Sequence, residues 1–135
     1  MLNKVMLIGN LGRDPEIRTT QDGKSIATLN IATSKRWKNK DGEKQDRTEW
    51  HRVVSFAGTL NDAVIEPYVK KGSRVYIEGE LQTRKWTDKE GSDRYSTEVI
   101  LNPFTGVLTM LGESNSLSRM EPTGTQDTPD DEIPF

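Results

Sequence analysis

Three tryptophans in this sequence stand beside positive charge. Trp86 follows Arg84 and Lys85, Trp37 sits inside Lys35-Arg36-Trp37-Lys38, and Trp50 opens the alternating row Trp50, Arg52, Val54 and Phe56. An aromatic face stacks on flat ligands, while neighbouring cations neutralise anions. Together they suit a flat, negatively charged polymer. The candidate stacking residues are Trp37, Trp50, Phe56 and Trp86; the candidate anion neighbours are Lys35, Arg36, Lys38, Arg52, Arg84, Lys85 and Arg94. Core packing is the competing role for these aromatics, and a solubilising role for any single cation. Tyr76 and Tyr95 fit packing and stacking alike.

Other chemistries lack their residues. The chain has no cysteine, which removes disulfides and thiolate nucleophiles, and its single histidine, His51, is too few for the common zinc frameworks. Gly9-Asn10-Leu11-Gly12 lacks the lysine and hydroxyl of a phosphate loop, and no carboxylates pair at a metal-binding spacing. The expectation is a binding protein with no catalytic residue, no metal and no cofactor. No apolar run is long enough for a membrane span, and Asn3, Lys4, Gly9 and Asn10 interrupt Leu2 to Leu11 too often for a leader. A cytoplasmic location is the default.

The formal net charge of −2 argues weakly against an anionic partner, but it is an average over two unlike parts. Residues 1–112 hold 18 basic and 15 acidic groups (+3), whereas residues 113–135 hold one and six (−5). An electrostatic footprint therefore belongs to the body alone. At 135 residues the chain fits one domain.

The pattern of apolar residues predicts an all-β body. A first strand spans Asn3 to Leu11, with Val5 and Leu7 on one side and Met6 and Ile8 on the other, so both sides need cover, from the body and from another subunit. Gly9 to Gly12 reads as a bend or bulge. A short strand at Glu16 to Thr20 and a hairpin turn at Gln21 to Lys24 lead into a long strand, Ser25 to Trp37, which leaves the core at Lys35. Trp37 shares parity with Leu29, which calls for a twist, a bulge or another face there. Thr48 to Ala57 is the next strand, its core face undecided by parity. Thr59 to Lys71 reads as a helix, with a capping box from Thr59 to Asp62, a buried stripe of Leu60, Val64 and Tyr68, a kink at Pro67 and an end at Gly72. A hairpin then runs from Arg74 to Leu101, turning at Asp88 to Ser92, and Thr105 to Leu111 adds a short final strand. From Glu113 the periodicity is lost and disorder is expected. The end differs: Asp130, Asp131, Glu132, Ile133, Pro134 and Phe135 join three acids to an apolar tip, a peptide suited to a basic-rimmed pocket.

Leaving aside the short segments Glu16 to Thr20 and Thr105 to Leu111, five strands with one helix between the third and fourth resemble an oligonucleotide-binding (OB) fold, a Greek-key barrel that takes ligand across strands two and three. The residues also resemble the bacterial single-stranded DNA-binding protein family, phage- and plasmid-borne members included. The matching pieces are Asn3-Lys4-Val5, Leu7 to Gly12, Asp14-Pro15-Glu16, Thr48 to Val54, Lys71-Gly72-Ser73, Val75 to Gly79, Thr83 to Asp88, Gly91, Arg94-Tyr95, Thr97-Glu98-Val99 and the acidic Ile-Pro-Phe end. The resemblance implies a homotetramer that binds and protects single-stranded DNA, stacking bases on Trp37, Trp50, Phe56 and Trp86. It also implies recruitment of replication, recombination and repair proteins through the tip, at the nucleoid. It places His51 near the subunit interface; with Asn3, Val5 and Leu7 this makes the candidate assembly surface. Residues 1–112 would be the DNA-binding and oligomerisation domain, 113–129 a short linker and 130–135 the docking tip. Pro67 and Asn102-Pro103-Phe104 depart from the family pattern. An RNA-binding barrel and a protein-assembly module are the alternatives.

Overall fold

The computed structural model describes residues 1–112; the linker and the docking tip lie outside the described residues. The strands are β1 (Val5–Leu11), β2 (Glu16–Thr19), β3 (Ser25–Lys38), β4 (Lys44–Ser55), β5 (Arg74–Thr87), β6 (Asp93–Leu101) and β7 (Val107–Leu111). Five of them close a ring in the order β1, β3, β4, β6, β5 and back to β1, while β2 pairs with β3 and β7 with β5. Closure comes from a short parallel pairing, Val53 to Ser55 against Val99 to Leu101, and from β1 lying antiparallel on β5. This is the expected five-stranded OB barrel, with a helical region between β4 and β5.

Two glycines let the ring close. β1 changes partner from β5 to β3 at Gly9, and β5 changes from β1 to β6 at Gly79. A Cβ on Gly9 would stand 2.3 Å from the Ala32 carbonyl oxygen, and one on Gly79 2.6 Å from that of Ile100. Only a residue without a side chain admits such a close crossing of backbones.

Alternation fills the interior. Ala27, Leu29 and Ile31 of β3, Val53 of β4, Val75 and Ile77 of β5, Val99 and Leu101 of β6 and Leu108 of β7 meet in one buried cluster with Ile65 and Val69. Each large aliphatic side chain so buried contributes about 1.5–3 kcal/mol relative to exposure. The undecided strand is thereby settled: Val53 and Ser55 face inward, while Trp50, Arg52 and Phe56 face out.

The helical region departs from expectation. Gly58–Leu60 and Glu66–Tyr68 are α-helical, and Asn61–Ile65 between them forms a π-helical turn. The Glu66 N–H reaches the Asn61 carbonyl five residues back, immediately before Pro67, which has no N–H to continue the ladder. The buried stripe is Asn61, Ile65 and Val69, one residue on from the expected one, with Leu60 and Val64 partly buried and Tyr68 exposed. The helix begins one residue before Thr59, so no capping box forms, and it ends at Tyr68 rather than Gly72. Asn61 anchors it by donating to the carbonyls of Ser25 and Ser55, each at 3.1 Å.

Both long hairpins run past the barrel. β3 and β4 stay paired without a break from Ala27↔Ser55 to Lys38↔Lys44, so β4 begins at Lys44 rather than Thr48 and no bulge precedes Trp37. The β2–β3 turn and the two long-hairpin tips share one turn geometry. In Thr20–Lys24, Asn39–Glu43 and Asp88–Ser92 the first N–H donates to the fifth carbonyl and a glycine N–H returns to the first, with that glycine at φ 84°, 79° and 85°. In the two projecting tips the side chains of Asn39 and Asp88 also accept two backbone N–H groups each, which stiffens them.

Candidate nucleic-acid interface

The outer side of β4, β6 and β5 gathers most of the residues singled out by sequence. Trp50 and Arg52 lie along β4 with Phe56 just past its end, Arg94, Ser96 and Glu98 along β6, and Arg84 and Trp86 along β5. Glu98 joins them. Its carboxylate, only 5% exposed, accepts from Arg52 Nε at 2.8 Å and from Arg84 Nε and Nη2 at 3.3 Å each. Burial pushes the Glu98 carboxyl up, but the two guanidinium groups outweigh it and hold the group below its ordinary range. One carboxylate thus fixes two arginines, with a surplus positive charge and unused N–H donors left for a ligand.

The aromatics are too exposed for core packing: Trp50 at 62%, Trp37 and Phe56 at 44% and Trp86 at 42%. Trp50 lies over Gly12, where a Cβ would come within 2.4 Å of the ring, so the glycine makes room for the indole. The Trp86 indole N–H donates to Ser96 Oγ at 2.8 Å, which orients that ring. Phe56 follows the end of β4, its N–H on the Leu101 carbonyl at 2.9 Å, and opens onto a groove of about 650 Å³ with Lys24 and Pro103.

Not every candidate shares this surface. Trp37 and Lys35 belong to the opposite side of the β3–β4 hairpin, in register with Gln45 and Arg47. There they line a groove of about 750 Å³ with Thr33, Arg47 and Glu49. The parity shared with Leu29 is therefore real, and Trp37 is exposed because its strand has left the barrel. Arg36 and Lys38 return to the Trp50 side, and with Lys35 they form no ion pair among the described residues. Lys85 faces away from Trp86 and pairs with Asp93 at 3.3 Å, while Arg94 is held by Asp88 at 2.8 Å.

The assembly candidates fall elsewhere. Val5 and Leu7 pack against the core, which leaves Met6 and Ile8 as the exposed apolar pair of β1. Asn3 is engaged within the chain, its side chain exchanging two hydrogen bonds with the Leu81 backbone at 2.9 and 3.0 Å. His51 Nε2 lies 2.9 Å from Thr33 Oγ1 at the mouth of the barrel. Glu98, Ser96 and Gly12 were not among the sequence candidates. Parity along β6 puts Glu98 and Ser96 on the wet face, but the Arg52 contact spans 46 residues and requires the parallel β4–β6 pairing.

A closed five-stranded barrel bearing exposed aromatics and clamped arginines across adjacent strands defines the oligonucleotide-binding class. Residues 2–107 match the Single-strand binding protein family, and the chain belongs to it. It is 60% identical over 111 residues to a single-stranded DNA-binding protein of Rhizobium meliloti, an alignment spanning 82% of this chain and 63% of that protein. It is 48% identical to one from Rickettsia felis, over 99% of this chain and 97% of that one. Among solved structures, the Plasmodium falciparum SSB in complex with ssDNA superposes with a TM-score of 0.75 at 38% identity, covering 82% of this chain and 96% of that one. A deletion mutant of the Thermus aquaticus single-stranded DNA-binding protein gives 0.64 at 26%, covering 83% and 51%.

Proposed function

We propose that this chain binds and protects single-stranded DNA without sequence preference, stacking bases on Trp50, Trp86, Phe56 and Trp37 and neutralising phosphates with the cations around them. The observation that carries the reading is the Arg52–Glu98–Arg84 clamp lying between two exposed tryptophans on an OB barrel. Stacking tolerates every base because every base has a π-face. Arg52, Arg84, Arg36 and Lys38 share the Trp50 side and serve as its phosphate neighbours; Lys35 serves Trp37 on the other side of the hairpin. Lys85 and Arg94 are already paired and contribute less. The DNA complex of the Plasmodium falciparum relative supports the choice of ligand. The test is intrinsic tryptophan fluorescence during titration with a thymine oligomer, against duplex of equal length and at rising salt. Strong quenching by the single strand, weakened by salt, is expected; equal responses to both ligands would exclude this reading.

The proposal extends to assembly and recruitment. The chain works as a homotetramer in the cytoplasm, at the nucleoid, as a non-catalytic protein, and its tip Asp130–Phe135 docks replication, recombination and repair proteins. Exposed Met6, Ile8 and Val107 on the outer side of β1, β5 and β7 support the assembly part. Removing the last six residues should abolish capture of such partners while preserving DNA affinity; loss of DNA affinity instead would contradict a docking role.

A further inference from the structure

The turn between β6 and β7 holds the most exposed aromatic ring among the described residues. Phe104 is 96% exposed, directly after Pro103, in the stretch Asn102-Pro103-Phe104. Gly106 N–H closes the turn on the Asn102 carbonyl at 2.9 Å, and a Cβ on Gly106 would stand 2.8 Å from that same oxygen. With the proline fixing its own φ, the turn is stiff and the ring is held outward rather than folded back. Its neighbours on either side line two separate grooves. Pro103 lines the 650 Å³ groove that contains Phe56, and Thr105 lines one of about 390 Å³ beside Met1 to Lys4 and Glu78 to Glu80. Phe104 thus stands on the crest between them, three residues beyond Leu101, whose carbonyl accepts the N–H of Phe56 at the end of the Trp50–Phe56 row.

We propose that Phe104 is an additional base-stacking residue, which takes single-stranded DNA leaving Phe56 and carries it over this crest. The inference rests on the DNA-binding reading above. Continuity with the aromatic row selects the occupant, because the β4–β6 pairing sets Phe56 beside Leu101 and Asn102. The groove carries Asp22 and Asp62 as well as Lys24, so its attraction is for bases rather than phosphates. A stiffly presented ring loses little freedom when a base stacks on it.

The experiment compares the full chain with Phe104→Ala and Phe104→Trp against thymine oligomers of increasing length, at several salt concentrations. Phe104→Ala should bind long oligomers roughly five- to tenfold more weakly, bind the shortest ones unchanged, and keep the salt slope of the parent. Phe104→Trp should restore affinity and add a quenched emission. Equal affinity of Phe104→Ala at every length would overturn the inference, as would a change in its subunit number, which would assign the ring to a contact between copies. Failure of the unaltered chain to bind any oligomer would strike the parent reading; binding by that chain with an indifferent Phe104→Ala would strike this one alone.

Discussion

β5 presents two kinds of surface on the outer side of a single strand. From Arg74 to Glu78 it lies between β1 and β7, and beyond Gly79 it pairs with β6. Each half centres on a carboxylate. Glu78 is matched by Lys4 at 2.9 Å and by the Tyr76 hydroxyl, amid Met6, Ile8 and Val107. Glu98, across from the second half, is shared by two arginines amid Trp50 and Trp86. In the first half charge is balanced and the surround is aliphatic, which suits another protein surface. The second has cationic surplus and flat rings, which suits a polyanion with exposed bases. What separates the two is the count of cations per carboxylate and the shape of the apolar groups, on the same strand and the same fold.

The largest effect that tests this division is on the second half. Replacing Trp50 and Trp86 together by alanine should weaken binding to a thymine oligomer by on the order of 100-fold or more, since each stacked base is worth roughly 1–3 kcal/mol. Both rings are exposed, so the thermal midpoint should stay within a few degrees. A small change in affinity with intact folding would remove stacking from the account. Met6→Asp with Ile8→Asp is the converse. It should lower the subunit number in sedimentation equilibrium, because two carboxylates would need burial without partners, while affinity for a short oligomer stays within about twofold. An unchanged mass would place assembly elsewhere. Arg84→Gln should cost several-fold in affinity and reduce the dependence of log affinity on log salt by about one phosphate contact. If only affinity falls, Arg84 acts through packing.

Much of this was readable in advance, for local reasons. Two of the three hairpin tips announced themselves through Asp22-Gly23 and Glu90-Gly91, because a glycine at positive φ is a local requirement. Strand alternation is local too, and it puts Arg84 and Trp86, two residues apart, on one face. What sequence left open depends on contacts distant in the chain. The face of β4 became legible only once Val53 met Val99, and the side occupied by Trp37 only once the ladder proved unbroken. The helical stripe was misplaced by one residue because hydrophobicity does not select Asn61, which is buried to donate to the Ser25 and Ser55 carbonyls, while the i, i+4 spacing itself is kept by Asn61, Ile65 and Val69. Val5 and Leu7, assigned to assembly, turned inward because the choice between the sides of β1 is made by β5 and the core rather than by hydrophobicity.

The smallest predicted effect asks whether the two carboxylates differ in kind. Glu98 and Glu78 are both held below the ordinary 4.5, Glu98 by its arginines against the opposing effect of burial and Glu78 by the Tyr76 hydroxyl and then Lys4. A depressed folded-state pKa means that the unfolded chain takes up protons first as pH falls. The stabilisation each gives is therefore complete above the unfolded value, near 4.5, and is lost as pH drops through the lower folded value. Urea midpoints of the unaltered chain should be flat from neutral pH to about 5 and fall below that. Glu98→Gln should flatten part of the fall, and Glu78→Gln another part. Their effects on DNA should separate. Glu98→Gln frees Arg52 and Arg84 from their shared anchor and should weaken binding a few-fold even though a negative charge has been removed; Glu78→Gln should leave binding unchanged. If Glu98→Gln binds more tightly, the carboxylate competes with phosphate for the arginines instead of aiming them, and the two faces differ in charge alone.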